Sequence, residues 1–351
     1  MPIFGKKLIL EQHKEPALSK PIVRFVNPVS DNQLIELKNL TATSEQQAII
    51  EMARLAEITD EREGTLVHKM LEKSLYRADM VIADALDDEP YVSSKLGPML
   101  AFGDELAAGL DLCCRVAGCR EKRILVYGRI TDIDTRIPRS IDKIKVVRVD
   151  TGYPVSEQDK LGKLPPGKKL VIGAGALIHL ARAAKKRKMQ TTTFVTVAGN
   201  CVTNPMNLEV SVGMTVMQVL ERCGLSKDPT RIVCGGSMTG FSIIEPDNTL
   251  VTFTTGAILA LREDVRDRLY NCIGCGRCEQ VCPTGLNPMY IQRFVENSFY
   301  AYLEPFDAHL CIGCGTCSYI CPSKLEVSQV VGIAKRYADS HFVRMEDDDE
   351  A

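Results

Sequence analysis

The strongest constraint on this chain is a cysteine string that occurs twice: Cys272, Cys275, Cys278 and Cys282 followed by Pro283, and Cys311, Cys314, Cys317 and Cys321 followed by Pro322. The spacing C-x2-C-x2-C-x3-C-P is that of 4Fe-4S ligation, and it predicts two cubane clusters and a role in moving electrons. Three thiolates two residues apart can wrap one cubane from a tight turn, whereas the fourth is carried away by the helix that the turn feeds. In duplicated strings the fourth cysteine therefore serves the other cluster. The expected ligand sets are Cys272, Cys275, Cys278 and Cys321 for one cluster, and Cys311, Cys314, Cys317 and Cys282 for the other. Gly274, Gly276, Gly313 and Gly315 suit loops that turn N–H groups towards sulfide, which need positive φ. One string alone would leave a structural zinc site open; two with identical spacing and a following proline speak against zinc or disulfides.

A chain of 351 residues has room for two or three domains. Its formal net charge of −2 argues against holding nucleic acid or a membrane surface by bulk electrostatics. The start reads as neither signal nor transit peptide. No apolar run approaches the ~18–20 residues of a membrane span, so no transmembrane segment is expected. Fourteen cysteines, eight of them in the strings, point to a reducing compartment and a cytoplasmic location. The other six, Cys113, Cys114, Cys119, Cys201, Cys223 and Cys234, have no repeated ligand spacing and are expected to be reduced thiols that behave as small hydrophobes.

Periodicity divides the chain. Residues 1–40 read as irregular, with extended patches such as Pro21–Val26. Thr43-Ser44-Glu45-Gln46 reads as a helix start, and a second helix is expected from about Gly64 to Ser74. Met80–Ala83 then reads as a buried parallel strand. An α/β alternation follows: a helix over Asp104–Ala117, a strand at Arg123–Tyr127, a charged helix or loop over Asp132–Lys145, and a strand at Lys145–Val149. After the turn-rich stretch Gly152–Lys168 come a strand at Lys169–Ile172 and a helix through Ala183. The basic tract Lys185–Lys188 ends that helix, where cations suit the dipole. Thr191–Val197 and Leu208–Val212 read as strands, Thr215–Arg222 as a helix, and Arg231–Cys234, Leu250–Thr254 and Ile258–Leu261 as further strands. That order describes a small α+β unit of β-grasp type. The cysteine strings follow among helices, and the acidic tail Met345–Ala351 is expected to be disordered.

Glu89-Pro90-Tyr91, Gly152-Tyr153-Pro154, Val195–Gly199 with Asn204-Pro205 and Asn207, Gly235–Gly240, Gly256–Leu261 and the two strings with Cys321-Pro322-Ser323-Lys324 occur in the order found in one family. The chain resembles the C subunit of the Rnf ferredoxin:NAD oxidoreductase, over about residues 65 to 335. The cobalamin reductase of propanediol microcompartments and the electron-transfer protein of clostridial D-proline reductase are grouped with it. The resemblance implies a Rossmann-like α/β domain over 41–190, a β-grasp domain of the soluble-ligand-binding type over 191–262 and a helical two-cluster ferredoxin domain over 263–340; it also implies an N-terminal barrel-sandwich, for which the irregular segment 1–40 is too short, and residues 341–351 read as a tail.

One departure bears on cofactors. Where the family has a glycine-rich loop, roughly G-G-A-G-F-P-T, before the first strand of its flavin domain, this chain has Glu61-Arg62-Glu63-Gly64-Thr65-Leu66-Val67-His68. Asp84, Asp87, Asp88 and Glu89 follow that strand, and unpaired carboxylates there would repel the phosphates of FMN and NADH alike. Binding of neither is expected. Gly173-Ala174-Gly175 lacks the third glycine of a phosphate loop and reads as tight strand-to-helix packing. His68, His179 and His309 read as surface or packed histidines, and the acidic string reads as an exposed loop.

The expected function is an iron-sulfur electron-transfer subunit without a catalytic residue of its own. It would accept electrons from a flavoprotein or iron-sulfur partner and pass them through two 4Fe-4S clusters to a second redox protein in a hetero-oligomeric complex. The alternatives are an FMN-dependent NADH dehydrogenase feeding the clusters, and a cobalamin-reductase-like protein whose β-grasp domain takes a corrinoid.

Overall fold

The computed structural model describes residues 3–4, 7–8, 20–27, 44–128, 137–226, 228–262 and 270–341. Thr43, residues 132–136 of the expected charged helix or loop, and the expected acidic tail lie outside them. The chain forms two compact units. One comprises Met1–Glu11, Gly152–Pro154 and Glu263–Ala351, and the other Gln12–Thr151 and Val155–Arg262. Strands β1 (Ile3–Phe4) and β2 (Lys7–Leu8) pair antiparallel and fall in the first unit.

The second unit carries two sheets. Its earliest strand, β3 (Val23–Phe25), lies in the segment expected to be irregular and pairs parallel with a strand nearly two hundred residues later. Helix α1 (Glu45–Leu55) is capped by Ser44, whose hydroxyl accepts from the N–H of Gln47 at 3.3 Å. Helix α2 (Val67–Ser74) begins later than about Gly64, because Gly64 itself takes φ +73°. Then come β4 (Met80–Asp84), α3 (Leu96–Ala101), α4 (Gly103–Ala117), β5 (Glu121–Tyr127), β6 (Ser140–Ile141) and β7 (Ile144–Val149). The described part of the expected charged helix or loop is the β6–β7 hairpin. It turns at Asp142 and Lys143, which take φ +45° and +65°, as a two-residue hairpin turn requires. Helix α5 (Glu157–Gly162) interrupts the turn-rich stretch behind a Ser156–Asp159 capping box. Strand β8 (Lys169–Gly173) and helix α6 (Ala174–Lys186) complete the α/β part.

Strand order in this sheet is β6-β7-β5-β4-β8, with β7, β5, β4 and β8 mutually parallel. Alternate residues of β4 serve opposite faces: Val81 and Ala83 join the core of α1, α2, α4 and α6, while Met80 and Ile82 join Leu125, Tyr127, Val149 and Leu164. Both faces are covered, as a parallel sheet needs. Helices α4 and α6 approach closely at Gly109, where a Cβ would collide with the backbone of Leu177. The chain steps one way from β4 to β5 and β7, and the other way to β8. A crevice therefore opens at the carboxyl ends of β4 and β8, the usual ligand position in such sheets.

The second sheet has the order β12-β11-β13-β9-β10-β3, with β9 (Thr192–Ala198), β10 (Met206–Ser211), β11 (Arg231–Cys234), β12 (Phe241–Ile243) and β13 (Ala257–Leu261). Helix α7 (Val216–Cys223) has the capping box Thr215–Gln218 and ends at Gly224 with φ +74°. Its Val216, Val219, Leu220 and Cys223 pack on Val195, Val197, Leu208, Val210, Ile258 and Ala260. The expected strand Leu250–Thr254 is instead a turn, in which the Thr255 hydroxyl accepts from the N–H of Thr252 at 3.0 Å.

Besides the β1–β2 pair, the first unit carries α8 (Arg277–Gln280), α9 (Pro288–Glu296), α10 (Thr316–Tyr319) and α11 (Val327–His341), with three short 3-10 turns between α9 and α10. Its core joins Leu286, Ile291, Val295, Leu303, Val327, Val331, Ala334 and Ala338. Among the described residues no helix is long and apolar enough to cross a membrane.

Candidate metal centre

The two cysteine strings fold alike. Gly276 and Gly315, with φ +68° and +74°, are the N-caps of α8 and α10, so the third cysteine of each string, Cys278 or Cys317, sits in a helix of a single turn. The fourth, Cys282 or Cys321, falls just beyond the C-caps Val281 and Ile320. Gly274 and Gly313 also take positive φ, +68° and +67°, and a Cβ at Gly276 or Gly313 would meet nothing within 4 Å.

Cys282 lines one pocket with Cys311, Cys314 and Cys317, beside Thr284, Thr316 and Val331. The remaining four are less enclosed. Cys272 and Cys275 are exposed, and Cys278 and Cys321 are half-buried. The chain just past Cys321 returns to the start of the first string: the Ser323 hydroxyl donates to the Asn271 carbonyl at 3.0 Å, and the Tyr270 N–H donates to the Ser323 carbonyl at 3.3 Å.

The donor set suits iron-sulfur ligation. Burial, then Cys314 and Cys311, push the Cys317 thiol up to about 12. Burial also raises Cys314, against the Thr316 hydroxyl, with Cys311 and Cys282 adding to the rise, and burial raises Cys278. Such thiols become thiolates when a metal takes the proton's place. Polar partners surround the sulfurs: the Gly313 N–H donates to Cys311 Sγ at 3.4 Å, and the hydroxyls of Thr316 and Thr284 lie 3.2 and 3.4 Å from Cys314 Sγ and Cys282 Sγ. Two residues not singled out for a role in the sequence hold the ligand backbone. The Lys335 ammonium donates to the Cys311 carbonyl at 2.7 Å, and the buried Tyr153 hydroxyl donates to the Cys314 carbonyl at 2.7 Å. Only the Tyr153-Pro154 step of the shared motif signalled the second. Among the described residues no three Cys, His, Asp or Glu side chains converge as a single-ion site would require.

The crevice of the parallel sheet differs from expectation. The acidic string is not an exposed loop of unpaired charge. Asp84 is fully buried and accepts from Lys160 Nζ at 2.9 Å. Burial alone would raise its pKa, but Lys95 and Lys160 outweigh it and hold Asp84 down at about 2. Asp87 is also buried and accepts from the N–H groups of Lys95 and Leu96 at 3.0 and 2.9 Å. Asp88 accepts from the Val155 N–H at 2.8 Å. Glu89 reaches the turn between β11 and β12, taking the N–H groups of Met238 and Thr239 at 2.6 and 3.2 Å and the Thr239 hydroxyl at 2.5 Å. The stretch standing in place of the glycine loop is likewise satisfied. Asp60 pairs with Arg62 at 2.9 Å and accepts from the Gly173 N–H at 3.0 Å, while Glu61 accepts from the N–H groups of Gly175 and Ala176 at 2.8 and 3.0 Å. Lys160, Val155, Gly173, Gly175, Ala176, Met238 and Thr239 lie far along the chain from the carboxylates they satisfy, which is why the sequence alone suggested bare repulsion.

Of the other thiols, Cys113, Cys114, Cys201, Cys223 and Cys234 are buried and Cys119 is half-buried, its sulfur 3.4 Å from that of Cys114. His179 is buried and stacked on Phe194.

Fold and cysteine loops together define an iron-sulfur protein with an SLBB domain: residues 194–242 match the SLBB domain family and residues 271–326 the 4Fe-4S dicluster domain family. Its relatives include the C subunit of the Na(+)-translocating ferredoxin:NAD(+) oxidoreductase complex of Acetobacterium woodii, 27% identical over 241 residues that make up 64% of this chain and 54% of the relative. The C subunit of the ion-translocating oxidoreductase complex of Rhodobacter capsulatus is 27% identical over 63% of this chain and 46% of its own length. The chain is a homologue of these C subunits and spans about half the length of the curated relatives it matches. In fold it is similar to a chain of an NAD+-reducing [NiFe]-hydrogenase in the H2-reduced state, with a TM-score of 0.53 at 15% identity, covering 92% of this chain and 67% of that one.

Proposed function

We propose that this chain is an electron-relay subunit of a cytoplasmic oxidoreductase complex. Cys272, Cys275, Cys278 and Cys321 would hold one 4Fe-4S cluster, and Cys311, Cys314, Cys317 and Cys282 the other. The observation that carries this reading is the pocket that gathers Cys282 with the three leading cysteines of the other string. When bound, such clusters supply one-electron transfer at a potential set by burial and by hydrogen bonds to sulfur. The chain's own part is to position them: Thr284 and Thr316 place hydroxyls at ligand sulfurs, and Lys335 and Tyr153 fix the carbonyls of Cys311 and Cys314.

We read the parallel sheet as Rossmann-like and its crevice as closed to FMN and NADH, because Asp60, Glu61, Arg62, Asp84 and Lys160 satisfy one another and the nearby backbone there. Electrons would then enter from a flavin- or cluster-bearing partner and leave to a second redox protein. The test is the absorption spectrum of the purified chain with NADH. An iron-sulfur spectrum without flavin, and no NADH-driven bleaching, supports the relay. A stoichiometric flavin band bleached by NADH would make the chain an NADH dehydrogenase instead.

A further inference from the structure

Strand β8 ends at Gly173 and α6 starts at Ala174, so the first N–H groups of a 13-residue helix point out of the carboxyl end of the parallel sheet. Such a terminus attracts anions, because its N–H groups lack partners inside the helix and the helix dipole is positive there. The place is taken by the chain itself. Glu61 Oε1 accepts from the N–H of Gly175 at 2.8 Å and Oε2 from that of Ala176 at 3.0 Å. The carboxyl lies where a Cβ on Gly173 would be, so this glycine is required by a carboxylate against the backbone. The segment behind is braced: Arg62 forks onto Asp60 and reaches the Val171 carbonyl at 2.8 Å, and Asp60 holds the Gly173 N–H at 3.0 Å.

A second feature points to a larger anion than a carboxylate. His179, one turn after Gly175 on α6, is only 5% exposed and lines the same small pocket as Glu61, Gly175 and Ser94, yet its Nε2 has no hydrogen-bond partner. Burial lowers its pKa to about 4, so near neutral pH the ring is uncharged and can donate from Nε2. Two carboxylate oxygens satisfy two amides and leave this third donor unused. A phosphate, with more oxygens arranged tetrahedrally, could engage all three.

We propose that the Glu61 carboxyl occupies a phosphate-accepting cradle made by the Gly175 and Ala176 amides and His179, and that it determines the refusal of phosphomonoesters by this chain. The inference rests on the reading of the crevice as closed, and adds which residue closes it. Glu61→Ala should open the cradle, and inorganic phosphate is the probe. Thermal unfolding of the full chain is followed in phosphate and in chloride at matched ionic strength, alongside wild type and Glu61→Gln, which fills the same space without charge. Phosphate at about 100 times its dissociation constant should shift the unfolding equilibrium of Glu61→Ala by about 100-fold, saturably, and leave the other two proteins unmoved. His179→Leu added to Glu61→Ala should remove most of that response. A folded Glu61→Ala protein indifferent to phosphate overturns the proposal. So does a Glu61→Ala protein that fails to fold and is not restored by phosphate, since an anion that replaces the carboxylate must also replace its stabilisation. Flavin bound by the wild-type chain would sink the relay reading whatever the variants do, so the two claims fail separately.

Discussion

Cys282 and Cys314 line one pocket although they belong to different cysteine strings. The turn of α8 that carries Cys278 ends before Cys282, which is delivered to the neighbouring string. Cys282→Ala should therefore damage the cluster built on Cys311, Cys314 and Cys317 and leave the one on Cys272, Cys275 and Cys278 largely intact. Electron paramagnetic resonance of the reduced variant checks this, because two dissimilar signals should become one. Loss of the cluster on Cys272 instead would mean that each string ligates its own cluster.

Asp84 and Lys160 form a buried pair, with Asp84 fully inaccessible. Lys160→Met should cost about 3 kcal/mol, because a buried carboxylate loses its partner. The pH dependence has a defined sign. With a folded pKa of about 2 against an ordinary 3.8, Asp84 contributes stability above pH 3.8 that is lost as pH falls towards 2. That contribution is about 2 kcal/mol. Asp87, raised to about 6 by burial, acts oppositely: its share is complete below pH 3.8 and declines as pH rises through 6. Urea melts of wild type and Asp87→Asn between pH 3 and 7 separate the two, and Asp87→Asn should lose less stability from pH 4 to 7.

Glu89 ties the loop after β4 to the turn after β11 through three hydrogen bonds. Glu89→Ala should cost about 2–3 kcal/mol, as two amides and a hydroxyl lose their acceptor. Faster hydrogen exchange at Met238 and Thr239 would localise the loss, and unchanged protection there would show that the tie is dispensable.

Lys324 follows Cys321 by the same interval at which Gly285 follows Cys282, and both take positive φ, +57° and +74°. Only the glycine does so without steric cost. Lys324→Gly should raise stability by about 1 kcal/mol, and a loss in thermal melts would mean that the lysine side chain offsets its strain through contacts.

Local signals carried much of this architecture. The cysteine spacing, the Thr215 box with its closing Gly224, and the apolar runs of β4, β5, β7 and β8 are each complete within a few residues. What sequence reading missed was non-local. Strand β3 is three residues whose partner, Leu208–Val210, lies far along the chain. The β6–β7 hairpin carries the charges of an exposed helix, and β12 is an edge strand too short and too exposed to show a pattern. The acidic string read as exposed because Lys160 and the Met238–Thr239 amides, which neutralise or cap it, are distant in sequence.

The central claim is that eight cysteines hold two cubanes, and the most direct measurement is the metal and sulfide content of anaerobically reconstituted protein. The account predicts about eight iron and eight acid-labile sulfide per chain. About four of each, or zinc as the main metal, would contradict it.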